Sequence, residues 1–407
     1  MAVNRLWMSR LNDKTRLFLD EGTDLNIPTP IVKRMHQSFV EEFLPFASDP
    51  GLLEDYANAF GSIRFGKILE DLDALAGSIA YAHADDFKDD TKPLTIVTAS
   101  LDSVNVQREL AMDKDYRMYG FVSYVGSSSM EITIVVSEME GGYGEVARQR
   151  EQQQTTSEWP NESLISHVEG QLKNAVMTAS FTMVGRDPKT GKAAKVNRLA
   201  LESDFERKVF ALGEQHKRAR LLQSQKAPDK QKPNEEEMRL IHDIYLETKP
   251  YKDPSSHLKM PADKVWMKDT VRQSIQFSFP QDRNIHGNIF GGWLMKQAYE
   301  LAFSTGLMFC RTRPTFVLLE EVVFKKPVSV GSLLYFTGQV VYTDANRFQV
   351  KVKVRSFTCH LLLLYRPTLW TRWGLKVRQR SRRQTFSTFA LPRQRSPPSC
   401  HDRITIA

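Results

Sequence analysis

One pattern occurs twice in this chain. Residues 63–80 put Leu69, Leu72, Ala76, Ile79 and Ala80 on one helical face, and the stretch after Gly291-Gly292 does the same with Leu294, Ala298, Leu301, Ala302 and Thr305. Apolar residues at this spacing make a helix with one buried side. Such a side must be covered by another layer. The two stretches also align residue by residue. Gly66-Lys67-Ile68-Leu69 falls on Gly292-Trp293-Leu294-Met295, and both helices run on into strand-like sequence, residues 102–106 in one case and 320–324 in the other. The chain therefore reads as two copies of one helix-plus-sheet unit, about 38–187 and 266–354.

Strand signals fill in the first copy. Residues 38–45, 95–100, 117–125, 130–136 and 175–184 carry strand-like runs, and Gly126-Ser127-Ser128-Ser129 predicts a hairpin loop between two of them. Asp49 and Pro50 predict a short capped helix over 49–56. One helix on an antiparallel sheet gives an α+β class. Outside the copies, residues 1–37 form an N-terminal extension in which Pro28 and Pro30 favour extended chain. A polar insertion rich in Gln and Glu covers about 141–170. Residues 188–265 read as a charged helical connector, with one helix over 202–220 and another starting at the Asn234 cap and the acidic turn Glu235 to Glu237. Residues 271–279 lead into the second copy as a strand. Residues 355–407 form a basic tail, expected to be mostly disordered apart from 357–365, which can still add a strand.

Composition excludes several classes. The three cysteines, Cys310, Cys359 and Cys400, form no CxxC, which argues against a disulfide framework or a zinc site. No apolar run is long enough to span a membrane. The net charge of +8 is misleading, because residues 355–407 hold ten Arg, one Lys and one acid, leaving −2 for residues 1–354. The body is near neutral, and no nucleic-acid partner is expected for it. No GxSxG, P-loop, HExxH or dinucleotide fingerprint is present.

The candidate chemistry sits where the second helix begins. A polar, turn-forming run, Gln281 to Asn288, passes through Ile289 and Phe290 into Gly291-Gly292. Glycines at a helix start let an oxygen approach unpaired N–H groups closely, and the helix dipole favours negative charge there. The alternative is that the glycines only relieve packing against a neighbouring strand. On the first helix, Asp73 leans toward the apolar face. A carboxylate there must be desolvated, paired or used. Periodicity taken alone leans to a charge at the edge of the face that reaches solvent.

The run His286-Gly287-Asn288-Ile289-Phe290-Gly291-Gly292-Trp293-Leu294-Met295 resembles the helix-start motif of hotdog-fold acyl-CoA thioesterases. With the internal repeat, the chain looks most like the two-hotdog members of that family, of the mitochondrial type, over roughly residues 28–354 apart from the insertion. The resemblance implies a tandem hotdog fold in which both long helices lie on one face of a continuous sheet. By position it puts Asn288 in the catalytic-Asn place and Asp73 in the catalytic-Asp place. Gly291 and Gly292 would help bind the substrate oxygen, with Asp73 as general base or nucleophile. Lys325 and Lys326 are candidates for the CoA phosphates, or else a solvated pair at a strand end. His286 is an accessory base or a polar turn residue.

The same alignment sets Ser62 and Tyr299 at the equivalent second site. Neither supplies a carboxylate, so one working site per two-copy unit is expected, with the second place still able to bind CoA. No cofactor and no metal are implied, since CoA is part of the substrate. Homo-oligomers and a mitochondrial location are implied, although the start of the chain is weak as a presequence; otherwise the location is cytoplasmic. Beyond residue 354 the pattern departs from the family, so the second hotdog is expected to be incomplete, with an open sheet edge. That leaves a non-catalytic acyl-CoA-binding protein as an alternative. A hotdog hydratase is a third reading, and it lacks a second well-placed His.

Overall fold

A computed structural model describes residues 28–86, 88, 91–139, 141–144, 175–225, 231–252, 255–284, 286–358 and 403–406. Most of the polar insertion, the N-terminal extension up to residue 27 and the tail over 359–402 lie outside the described residues.

In chain order the strands are β1 (Val32–Arg34), β2 (Val40–Leu44), β3 (Thr95–Val106), β4 (Tyr116–Val125), β5 (Ser129–Glu138), β6 (Ala175–Arg186), β7 (Arg198–Ala200), β8 (Arg272–Phe277), β9 (Thr315–Leu319), β10 (Val322–Val323), β11 (Ser332–Asp344), β12 (Arg347–Thr358) and β13 (Arg403–Ile406). The helices are α1 (Pro50–Tyr56), α2 (Phe65–Ala84), α3 (Asp204–Gln225), α4 (Glu235–Lys252) and α5 (Gly291–Cys310). Apart from the small β1–β7 pair, the strands form one 11-stranded sheet in the order β2-β4-β5-β6-β3-β9-β13-β12-β11-β8, with β10 also on β3. Its middle is an antiparallel contact between β3 and β9, where Val104 faces Leu319.

α2 and α5 pack side by side on this sheet. Ile68, Leu69, Leu72, Ala76, Ile79 and Ala80 are buried on α2, and Met295 and Ala302 of α5 join the same core. Glu70 and Lys296, which hold equivalent positions in the two helices, form an ion pair at 2.7 Å. Arg64 and Glu300 form another at 2.6 Å. α1 begins as its sequence predicts, with the Asp49 side chain accepting the Leu52 N–H.

The two halves of the sheet run in matching order, β2-β4-β5-β6-β3 and β8-β11-β12-β13-β9. They differ at one place. The first half has the 12-residue β6, antiparallel to β5 and β3. The second has the four-residue β13, parallel to both β12 and β9. Within the basic tail over 355–407, the described residues form strand at two places: β12 continues to Thr358, and Arg403–Ile406 is a strand. The physical reason is a demand inside the sheet. Backbone groups of β9 and β12 flank a slot and need partners, and the β-branched Ile404-Thr405-Ile406 suits one.

The connector is less loose than its charge suggests. α3 lies across the first half of the sheet, with Phe210 stacked near Tyr124 at 4.8 Å. His216 Nδ1 meets Glu131 Oε1 at 2.8 Å, and Arg220 pairs with Asp102 and Glu131. Burial pushes the Glu131 carboxyl above its ordinary value. α4, by contrast, has no buried residue.

The C-terminal end of α2 is tied down by buried polar groups. Lys33 Nζ donates to the Ala82 carbonyl at 2.8 Å. Asn197 Nδ2 donates to the His83 carbonyl at 2.8 Å, and His83 Nε2 lies 2.9 Å from the Asn197 carbonyl. His83 Nδ1 is buried with no hydrogen-bond partner among the described residues. Burial pushes the His83 imidazole down to about 4. The folded chain therefore binds fewer protons than the unfolded chain between pH 4 and the ordinary His value near 6.5. Stability is expected to fall as pH drops through that window, by at most about 1.4 kcal/mol per pH unit from this residue. Denaturant unfolding at a series of pH values checks this: His83→Gln should flatten the slope, and an unchanged slope would exclude His83 as its source.

Candidate active site

Helix α5 starts without a cap of its own: Phe290 at its N-cap position makes no side-chain hydrogen bond. The first N–H groups of any helix lack intrahelical partners. Asp73, from the middle of α2, supplies one. Its Oδ2 accepts the Gly292 N–H at 2.6 Å, and its Oδ1 accepts the Thr98 hydroxyl of β3 at 2.9 Å. Asp73 is only 2% exposed. The solvent-edge reading of this residue is thus overturned. Periodicity within α2 cannot register that α5 crosses just beside Asp73 and covers it.

The glycines explain how the crossing comes so close. A Cβ on Gly292 would lie 2.8 Å from the Cα of Glu70 and 2.6 Å from the Phe290 ring. A Cβ on Gly291 would lie 2.9 Å from Asp73 Oδ2. The partner is thus a helix and a carboxylate, rather than the strand that the packing alternative supposed. Gly66 makes the corresponding approach to Lys296.

The loop before α5 is fixed largely by its own hydrogen bonds. Asn284 Oδ1 accepts from the N–H groups of His286 at 2.9 Å and Asn288 at 3.2 Å. The Asn284 N–H donates to the Asn288 carbonyl at 2.6 Å. Gly287 has a φ of +78°, which lets the chain reverse between His286 and Asn288. Ile289 N–H reaches the Val328 carbonyl at 2.8 Å, tying the loop to the segment after β10. Asn288 is half-buried.

These parts enclose a cleft of about 340 Å³. Asp73, Gly77 and Tyr81 line it from every fourth position of α2, Thr98 from β3, and Asn288 and Gly291 from the second copy. Lys325 and Lys326 are exposed and line the same cleft. They are brought there by the Phe324 N–H, which donates to the Ala99 carbonyl of β3 at 3.0 Å. Of the residues named from sequence, Asp73, His286, Asn288, Gly291, Lys325 and Lys326 line the cleft, while Gly292 does not and meets the site only through its N–H on Asp73. One detail differs from the expectation. The Gly292 N–H is already engaged by Asp73, so it is not free to receive a substrate oxygen in this state.

Three lining residues escaped the sequence reading. Thr98 orients Asp73. Arg186, at the end of β6, is exposed at the cleft and donates to the Gly191 carbonyl. Tyr81 meets His286 across the cleft. The i+4 spacing of residues 73, 77 and 81 was the available signal for Tyr81; the other two depend on strand register.

At the equivalent place in the other half, different side chains stand in the positions of Asp73 and Asn288. Tyr299, in the Asp73 position, packs against Phe65 in a tilted pair at 5.0 Å and against Phe316 edge-to-face at 5.4 Å. Ser62, in the Asn288 position, accepts hydrogen bonds from Arg313 and Asn58, each at 2.7 Å. The space left is about 60 Å³. Among the described residues, no group of His, Cys, Asp and Glu is arranged to hold a metal ion, and no helix is long and apolar enough to cross a membrane.

Comparison with known proteins identifies the family. The Thioesterase superfamily model matches residues 286–362. The chain is 36% identical over 322 residues to the mitochondrial acyl-coenzyme A thioesterase 9 of Bos taurus, covering 79% of this chain and 67% of that protein. It is 36% identical, with the same coverage, to the Homo sapiens protein of that name. It is 34% identical to the chloroplastic acyl-coenzyme A thioesterase 2 of Humulus lupulus, over 84% of this chain and 72% of that protein.

Proposed function

Because the chain belongs to the hotdog acyl-CoA thioesterases and is a thioester hydrolase, we propose that it is a tandem hotdog enzyme with one working site, built from Asp73 and Asn288. The observation that carries this reading is the trans cap. A buried carboxylate of one helix accepts an N–H at the start of the other, beside the loop that presents Asn288.

In this reading the thioester carbonyl lies between Asn288 and the start of α5. The Asn288 amide and the Gly291 N–H polarise it, with the helix dipole adding to the stabilisation of the tetrahedral oxyanion. An ionised carboxylate only accepts hydrogen bonds. The Thr98 hydroxyl and the Gly292 N–H therefore fix the orientation of Asp73. Asp73 either takes a proton from water, so that hydroxide adds to the carbonyl, or attacks the carbonyl itself to give an anhydride that water opens. Both routes release the CoA thiol and a carboxylic acid. Single turnover in oxygen-labelled water separates them, because only the anhydride route can leave label in Asp73.

CoA brings anionic phosphates, and Lys325, Lys326 and Arg186 supply positive charge at the cleft. The aromatic filling around Tyr299 leaves about 60 Å³ there against about 340 Å³ at the Asp73 cleft, which supports a single working site at the latter. The names of the Bos taurus and Homo sapiens relatives support a mitochondrial location. Family membership supports assembly into homo-oligomers.

The four-residue β13, standing where the other half has a 12-residue strand, favours one second reading: a protein that binds acyl-CoA without turnover. Thiol titration of free CoA released from acyl-CoAs of several chain lengths decides between them. Release by the full chain is expected. Acyl-CoA binding without release would establish the binding-only reading.

A further inference from the structure

Asp73 and Asn288 reach the cleft from different halves of the chain, so their separation depends on what joins α2 to the loop over 284–288. One join is the Asp73–Gly292 hydrogen bond at the start of α5. A second lies two turns further along α2, where the Tyr81 hydroxyl and His286 Nε2 are 2.7 Å apart. At 1.5 Å per residue, the two joins are about 12 Å apart along the helix.

Each join also grips the same strand. Thr98 of β3 donates to Asp73, and the Ile96 N–H of β3 donates to the Tyr81 hydroxyl at 3.2 Å. The phenol is therefore held by the sheet on one side and holds the loop on the other. His286 is two residues from Asn288, and both their N–H groups end on the same Asn284 oxygen. A shift of the His286 side chain is passed to Asn288 through that shared acceptor. The loop's own hydrogen bonds and the Ile289–Val328 bond hold its shape, and the Tyr81 join adds a tie from the loop to α2 itself.

We propose that Tyr81 is a positioning residue of the active site, acting through His286 to hold the Asn288 amide over the cleft. This rests on the reading of Asn288 as the group that polarises the thioester. His286 then serves as a hydrogen-bond partner and transfers no proton in the reaction. Displacing a polarising group by about an ångström costs up to about a hundredfold in rate. The loss falls on kcat because the carbonyl is stabilised most in the transition state.

The test uses the full chain. Tyr81→Phe keeps the ring and removes only the hydroxyl. It is expected to lower kcat for CoA release by about tenfold to a hundredfold with KM nearly unchanged. His286→Ala should do the same, and the double variant should be no worse than either, since both break one link. His286→Gln should recover most of the loss, because an amide can still partner the phenol, and the pH profile of kcat should keep its shape. Equal impairment in His286→Gln and His286→Ala, with one limb of the profile missing, would overturn the proposal and make His286 an acid or base. Full kcat in Tyr81→Phe would overturn it outright. Nuclear magnetic resonance of the His286 ring nitrogens gives a readout besides turnover. Its titration midpoint should move in Tyr81→Phe, and an unmoved midpoint would refute the link. A wild-type chain that releases no CoA sinks the functional reading, whereas an active wild type matched by Tyr81→Phe sinks only this inference.

Discussion

Asp73→Asn is expected to lower free-CoA release by about 10²- to 10⁴-fold, the range for losing a positioned acid–base group. The substitution changes charge and little else. An Asn oxygen can still accept the Gly292 N–H that Asp73 now accepts at 2.6 Å, so the start of α5 stays capped. Asp73→Ala removes the cap as well, and should cost about 1 kcal/mol of stability in addition to the activity. Denaturant unfolding of both variants beside thiol titration distinguishes the two losses. If Asp73→Asn folds normally and hydrolyses at the wild-type rate, Asp73 is only a helix cap, and the site must be sought elsewhere.

Gly292→Ala is expected to damage both stability and turnover. The new methyl would sit 2.8 Å from the Cα of Glu70, and a backbone atom cannot step aside as a side chain can. The two helices must separate by a few tenths of an ångström, at a cost of about 1–3 kcal/mol for an overpacked contact. The same separation lengthens the Asp73–Gly292 hydrogen bond and moves the carboxylate from the carbonyl, so kcat should fall by up to about a hundredfold. Gly66→Ala is the internal comparison. Its methyl would meet the Lys296 Cγ at 2.9 Å, part of a flexible side chain, and the position equivalent to Asp73 holds Tyr299. It should cost less stability and leave kcat close to wild type. A Gly66→Ala variant as impaired in turnover as Gly292→Ala would contradict the single-site reading. Thermal unfolding and CoA release on the pair supply the comparison.

Much of this site was legible in the chain itself. The run from His286 to Gly292 has the polarity of a loop followed by the glycines of a helix start, and local chemistry alone dictates both. The matched spacing of Gly66 and Gly292 revealed the repeat, and the repeat alignment singled out Ser62 and Tyr299 as lacking the carboxylate. Resemblance to the family then paired Asp73 with Asn288, and the structure brings them to one cleft.

What the chain alone could not decide involves contacts between distant segments. Asp73 looked like an edge residue because helical periodicity reports one helix at a time, and the burying surface comes from α5, more than two hundred residues later. Glu131 sits in an ordinary strand pattern and becomes a buried acid only because α3 lays His216 and Arg220 over it. Thr98 and Arg186 face the cleft through strand register, and register depends on partner strands. The strand at Arg403–Ile406 lies in a basic tail that has no reason to order by itself; the slot between β9 and β12 provides one. Local sequence thus determined the two helices, their glycine starts and the polar loop between sheet and helix. Tertiary structure decided which carboxylate is dry, which N–H it caps and which phenol steadies the loop, because desolvation and hydrogen-bond geometry exist only once the two halves meet.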